Sequence, residues 1–274
     1  MSVPRAQDLQ GLFLSVGGIR VSVKRAGDGP PLLYFHNAWG FQWDPFLQGL
    51  AQRYTLWAPE LPGTGDSDPH DIFQVDSLWD LVVLLGDVVD ALGVKGAALV
   101  GHSFGGMLAA EVAAHWPDRF RRLVLLAPLG LWRADLPITN WMALPPHQLP
   151  HPPFLVHDPS APAVQAHLAA LQEGDTSLAR ARRIWALGCS AKFWWPIPDR
   201  GLRKRLHRVR LPTLVIWGRE DKVIPVGYAQ EFVQALPQAR ALIVEGAGHL
   251  PHLERLDTVL PAVVDFLGGG DGGP

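Results

Sequence analysis

A lone serine, Ser103, stands among three glycines in GHSFGG, where the apolar run ALVG ends and the helical pattern MLAAEVAAHW begins. Glycine serves where backbone turns sharply or approaches another backbone closely, so Gly101, Gly105 and Gly106 describe a strained turn that presents the serine. A serine hydroxyl is a weak nucleophile at neutral pH unless a base takes its proton, and a helix beginning at the turn aims its positive end at the same place. Downstream, LPTLVIWGREDKVIP ends an apolar strand with Asp221 in its loop, and ALIVEGAGHLPHLERLD ends the next with His249. The order is serine, aspartate, histidine. Each falls where a strand stops, the edge at which an open α/β sheet gathers its ligand. Glu220 competes with Asp221 as the acid. His252 competes with His249, but Pro251 suits the first position of a helix and assigns His252 to packing. His102 is expected to point to the far side of the turn as a satisfied structural histidine, His36 to pack its loop, and His115 to meet the dipole of its own helix end.

These groups need a scaffold, and the chain supplies a regular one. Residues 11–26 alternate around Gly-Gly and predict a hairpin, while PPLLYFHN and YTLWAPELPG predict two short strands. Leu81, Leu84, Leu85, Val88, Val89 and Leu92 share one helical face, with Ser77 and Asp80 as a capping pair and Gly93 as the stop. Strand GAALVG, a helix over 104–115, strands RLVLLAP and TLVIWG, a helix near 226–236, strand RALIVEG and a helix over 252–267 complete the alternation. The expected fold class is α/β, a mostly parallel sheet flanked by helices.

The alternation breaks once, over residues 130–210. That stretch holds ten of the 25 prolines and five of the 11 tryptophans, and carries 11 Lys/Arg against 5 Asp/Glu where the remainder carries 13 against 21. We expect a core over 1–129 and 211–267, an inserted helical cap over 130–210 and a disordered tail over 268–274. In DRGLRKRLHRVR, Leu202, Leu206 and Val209 at helical spacing predict one buried face, with the arginines as a solvated exterior.

Composition narrows the class. With 274 residues, 48% hydrophobic, the chain can bury one sizeable core with an appended subdomain. A formal charge of −2 with dispersed acids gives no electrostatic case for nucleic acid or a membrane surface. No apolar run approaches the roughly 20 residues of a membrane helix. A single cysteine, Cys189, and an N-terminus without a secretory pattern lead us to expect a reducing, cytoplasmic setting. The histidines lack ligand spacing, so neither a metal nor a cofactor is expected, and the partner is a small molecule.

Taken in order, FHNAWG, ELPGTGDSD, GHSFGG, WGREDKVIP and GAGHLPHLE resemble the α/β-hydrolase family over nearly the whole chain. The likeness is to its capped branch of esterases, lactonases and ring-cleavage-product hydrolases, with 130–210 at the usual cap position. The resemblance implies Ser103 as nucleophile, His249 as general base and then acid, and Asp221 as the group that fixes the imidazole. It further implies that the backbone N–H groups of Phe104 and Ala38 form the oxyanion hole, although Asn37 replaces the glycine usual before the second donor. Trp39, with the cap tryptophans Trp132, Trp141, Trp185 and Trp194, predicts an aromatic-lined apolar cleft. Serine at the elbow argues against the dehalogenases and epoxide hydrolases of this fold, in which an aspartate attacks. Leu250 stands where carbon–carbon hydrolases often carry tryptophan. The expected activity is hydrolysis of carboxylic esters of apolar small molecules through an acyl-enzyme. A carbon–carbon hydrolase of ring-cleavage products and a non-catalytic small-ligand receptor are the alternatives.

Overall fold

The structure, a computed structural model, describes residues 9–140, 155–173 and 176–269. The predicted hairpin is β1 (Gln10–Val16) and β2 (Ile19–Ala26), antiparallel with Val16 opposite Ile19. Gly17 and Gly18 turn it at φ 58° and 84°, a region that costs glycine nothing. The other strands are β3 (Pro31–Phe35), β4 (Thr55–Pro59), β5 (Ala97–His102), β6 (Phe120–Leu126), β7 (Thr213–Gly218) and β8 (Ala239–Val244). They form one eight-stranded sheet in the order β1-β2-β4-β3-β5-β6-β7-β8. β1, β2 and β4 pair antiparallel, and every pairing from β4 to β8 is parallel. The middle strand β5 is buried along its whole length, as a parallel strand covered on both faces must be.

One face of the sheet is covered by α2 (Leu78–Leu92), α3 (Phe104–His115) and α6 (Gly227–Ala235). The other is covered by α1 (Pro45–Ala51), α7 (Pro251–Glu254) and α8 (Leu256–Leu267). Ser77 and Asp80 close a reciprocal capping box on α2, and Gly93 ends it at φ 66°. The helix expected over 252–267 is broken at Arg255, whose φ of −131° turns the chain while its guanidinium binds Asp158 at 3.0 Å. α1 carried no sequence expectation. It is short, and it forms because Asp44 caps it, Pro45 opens it, and Phe46, Leu47 and Leu50 are wholly buried.

Between β6 and β7 the chain builds α4 (Pro162–Glu173), α5 (Ser177–Trp194) and two single 3₁₀ turns, Leu202–Lys204 and Leu206–Arg208. Leu202, Leu206 and Val209 are buried as their spacing requires, though on 3₁₀ turns rather than a helix. The expected solvated exterior needs correction at Arg205. Its guanidinium grips Glu111 of α3 at 2.8 and 2.7 Å, satisfying both oxygens of a carboxylate that has no exposed surface. Among the described residues no helix is long and apolar enough to cross a membrane. Of the expected tail, 270–274 lie outside the described residues.

Asp44, the cap of α1, is also buried. Its Oδ1 accepts the Leu47 N–H at 2.9 Å, and burial pushes its pKa up to about 7. The folded chain therefore holds a proton between about pH 4 and pH 7 that the unfolded chain releases, so stability should fall as pH rises through that window. Asp44→Asn keeps the capping oxygen and removes the ionisation. Urea denaturation from pH 4.5 to 8.5 should show a flatter profile for the variant, with a gain over wild type at pH 8 on the order of 2 kcal/mol.

Candidate active site

Ser103 joins β5 to α3 at φ 55° and ψ −115°, and with Ala127 it is one of two non-glycine residues at positive φ among those described. Such a conformation costs roughly 1–3 kcal/mol and persists only where neighbours over-determine it. The Ser103 N–H donates to Leu126 O at 2.8 Å, and its carbonyl accepts from Met107 and Leu129 at 3.1 and 3.0 Å. The glycines answer to close approach: a Cβ on Gly105 would lie 2.0 Å from Phe35 O, and one on Gly101 2.3 Å from Gly105 O. Only glycine lets α3 begin this close to β3 and β5.

The loops after β7 and β8 bring the expected partners to that turn. Ser103 Oγ lies 3.0 Å from His249 Nε2, and His249 Nδ1 donates to Asp221 Oδ2 at 2.9 Å. Asp221 Oδ1 accepts the N–H groups of Val223 and Ile224 at 2.8 and 2.9 Å, so the carboxylate is satisfied on both oxygens and cannot rotate. With Nδ1–H committed to Asp221, Nε2 is left as an acceptor facing the hydroxyl. All three side chains are buried. Glu220 turns away and accepts the Ala247 N–H at 3.0 Å. His252 packs edge-on against Phe46 and His102, and burial drives its pKa down to about 3.

The other histidines are satisfied locally. His36 donates from Nδ1 to Asn37 O at 2.7 Å and accepts the Leu61 N–H at Nε2, packing its loop, with its pKa lowered by burial to about 4. His115 bonds the Glu111 carbonyl in the last turn of α3 at 2.8 Å. His102 departs from expectation. It lines the same cavity as Ser103 instead of facing away from it, and its Nε2 meets His249 O at 2.9 Å, because the His249 loop folds back over the end of β5.

One essential support was not found in the sequence. Glu254 is buried and its carboxylate accepts four backbone N–H groups: Gly248 and Leu250, which flank His249, at 2.8 and 3.3 Å, and His157 and Asp158 at 2.6 and 2.8 Å. His249 N–H in turn donates to Leu155 O at 2.8 Å. The His249 loop is thereby stitched to the chain segment entering α4. The only sequence signal was an acid five residues after the histidine, and nothing in the linear order brings residues 155–158 beside it.

These groups open on a cavity of about 340 Å³. Val164, Leu168 and Leu171 present one stripe of α4 to it, joined by Leu155, Val156, Val223 and Leu250, with Gln42, His167, Gln172 and Arg183 as polar points. Among the described residues the apolar lining is aliphatic except for Trp39, so three of the expected tryptophans do not take part. Trp39 lines the cavity, but Trp132 packs on the core, Trp194 is buried edge-on against Trp195, and Trp185 lies exposed against Phe73. Those three side chains pack on the sheet core or on the outer face of α5. Trp141 lies outside the described residues. Ala38 lines the cavity beside Ser103, its carbonyl held by Ser190 Oγ at 3.2 Å. Phe104 opens α3, so its N–H belongs to the first-turn donors that have no acceptor within the helix, while its ring stacks on Phe193. Asn37 is not at positive φ, so replacing glycine there imposes no backbone strain.

Truncating Glu254 to Ala should strand buried N–H groups on both sides of His249 and lower stability by about 3 kcal/mol. Glu254→Gln, which keeps one acceptor oxygen, should lose less. Urea denaturation midpoints of the two variants, read against wild type, test the order.

The sequence profile of the α/β hydrolase fold matches residues 30–256. The chain is 29% identical over 286 residues to a 2-hydroxymuconate semialdehyde hydrolase of Pseudomonas putida, covering 99% of both chains. It is 28% identical over 247 residues to a pimeloyl-[acyl-carrier protein] methyl ester esterase of Nitrosomonas europaea, covering 85% of this chain and 94% of that one. A much longer relative, the polyketide synthase ThaQ of Burkholderia thailandensis, is 29% identical over 92% of this chain, which spans 12% of its length. Among solved structures, a 2-hydroxy-6-oxo-6-phenylhexa-2,4-dienoate hydrolase of Rhodococcus superposes with a TM-score of 0.75 at 21% identity, over 95% of this chain and 99% of that one.

Proposed function

The chain belongs to the α/β-hydrolase fold family, and on that premise we propose that it is a serine hydrolase cleaving carboxylic esters of apolar small molecules. The observation that carries this reading is the unbroken hydrogen-bonded line from Ser103 Oγ through His249 to Asp221, opening on an aliphatic cavity. Ser103 Oγ attacks the ester carbonyl as His249 Nε2 takes its proton. The negative charge that develops on the carbonyl oxygen falls to the backbone N–H groups of Ala38 and Phe104. Asp221 holds the imidazole in the Nδ1–H form and stabilises its protonated state. Collapse breaks the ester C–O bond, the alcohol leaves with the proton from Nε2, and water repeats the sequence on the acyl-enzyme. The chemistry calls on no cofactor.

The likeness to the 2-hydroxymuconate semialdehyde hydrolase, spanning both chains, favours a second reading: the same three residues cleaving a carbon–carbon bond of a ring-fission product. Leu250 beside the base and the aliphatic lining favour the ester. p-Nitrophenyl esters of graded acyl length and a vinylogous 1,5-diketone, offered to the same preparation, separate the two by kcat/KM. The expected result is preference for the esters, an acyl adduct on Ser103 by mass spectrometry, and a loss of at least about 10³-fold in kcat in Ser103→Ala. Preference for the diketone would install the second reading. Binding without turnover of either would leave a ligand receptor.

A further inference from the structure

Asn37 and His102 make contacts that the proposed chemistry leaves unused. The Oδ1 of Asn37 accepts the Trp39 N–H at 2.9 Å, which decides which end of the amide faces which way. Its Nδ2 is therefore the atom turned toward His102, 3.3 Å from Nδ1. On the other side of the ring, Nε2 lies 2.9 Å from the carbonyl oxygen of His249. A carbonyl only accepts, so Nε2 carries the hydrogen. Nδ1 then accepts from Asn37, and all three contacts are satisfied together. The opposite tautomer sets a lone pair against His249 O, and the opposite amide orientation sets two donors against each other at Trp39. An imidazolium would have no acceptor at Nδ1. It is also disfavoured by full burial and by the rings of His249 and His252, at 5.1 and 4.7 Å, which together hold the His102 pKa well below 6.5.

From this single self-consistent pattern we propose that Asn37 and His102 are a pair of positioning residues, a relay that locks the oxyanion loop to the backbone of the catalytic histidine. The inference rests on the hydrolase reading above. Ala38 lies between Asn37 and Trp39, and the Asn37 side chain closes back onto the Trp39 N–H across it, so the amide sets the direction of the proposed oxyanion donor. The His249 ring is fixed by Asp221 at one end, and its backbone is fixed by His102 at the other. The two places where charge develops in the transition state, the oxyanion and the imidazolium, are thus held at a set separation by one chain of hydrogen bonds. This gives the asparagine at the usual glycine position a purpose. It supplies a side-chain link that glycine cannot make, and its half-buried amide is engaged at both ends.

The test uses the whole chain and two readouts. The first is the second-order rate of Ser103 labelling by a fluorophosphonate, which needs nucleophile, base and oxyanion donors but no knowledge of the substrate, together with kcat and KM on the best p-nitrophenyl ester. Asn37→Gly and His102→Leu should each lower labelling and kcat about 10- to 100-fold with KM little changed. The double variant should lose no more than His102→Leu alone, because both substitutions cut one chain. His102→Gln, which keeps a donor for His249 O, should recover part of the loss. The second readout is side-chain nitrogen NMR of wild type, which should place the His102 proton on Nε2 and needs no variant to fold. Additive losses, or a proton on Nδ1, would overturn the relay. A wild type that folds, shows Nε2–H and is not labelled would instead remove the hydrolase reading, and the positioning role with it.

Discussion

The approach of α3 to the sheet edge is the contact on which the rest of the molecule depends. At Gly105 the helix backbone comes so near the end of β3 that a single added carbon would stand 2.0 Å from Phe35 O. That proximity forces the chain through Ser103 at positive φ and fixes the hydroxyl at the strand ends. It also puts the first turn of α3 beside the loop that follows β3, where Asn37, Ala38 and Trp39 lie. The strain is local and modest. It is held by backbone hydrogen bonds to Leu126 and Leu129, so the surrounding sheet and not the turn supplies the free energy that maintains it.

Around this point, desolvation decides what each ionisable group can be. Burial takes water away from the carboxylate oxygens, and hydrogen bonds from the protein replace it: Glu254 receives four backbone N–H groups, Asp221 two and an imidazole, Glu111 a bidentate arginine. Asp44, with fewer donors, is pushed toward its neutral form instead. The same penalty lowers the pKa of His36, His102, His167 and His252, and of these His36 and His102 each have a defined donor and a defined acceptor. His249 differs from them by having a carboxylate on Nδ1 and a hydroxyl on Nε2.

The segment between β6 and β7 contributes to the site in two ways. Aliphatic residues of α4 wall the cavity, and the chain leading into that helix is bonded to the His249 loop through Leu155 O and Glu254. α5 adds Ser190 against the Ala38 carbonyl. Binding surface and chemistry are therefore not separable parts. Displacing α4 or α5 would disturb the His249 loop and the loop that carries Ala38, which gives this segment mechanical reach into the site as well as shape.

The parts legible in the linear chain were those with a short-range cause. Hydrophobic alternation set the hairpin, short apolar runs set the other strands, Ser77 and Asp80 set the start of α2, the glycine spacing marked the elbow, and strand ends marked Asp221 and His249, because each depends on neighbours a few residues away. The contacts that choose between candidates are long-range, and only the folded chain decides them. Asp221 prevails over Glu220 because the strand end aims one side chain at His249 and the other at Ala247. Arg205 is an internal partner because Glu111, 94 residues away in sequence, faces it from α3. Among the described residues, the segment between β6 and β7 lines the cavity with aliphatic side chains and not with its tryptophans, since helix rotation about its own axis determines which side chains face inward. Composition carries no information about that rotation. The sequence by itself determined which groups could do the chemistry, through periodicity and local turns. Tertiary structure decided which of them meet, because burial and hydrogen-bond complementarity are properties of neighbours that the chain order does not contain.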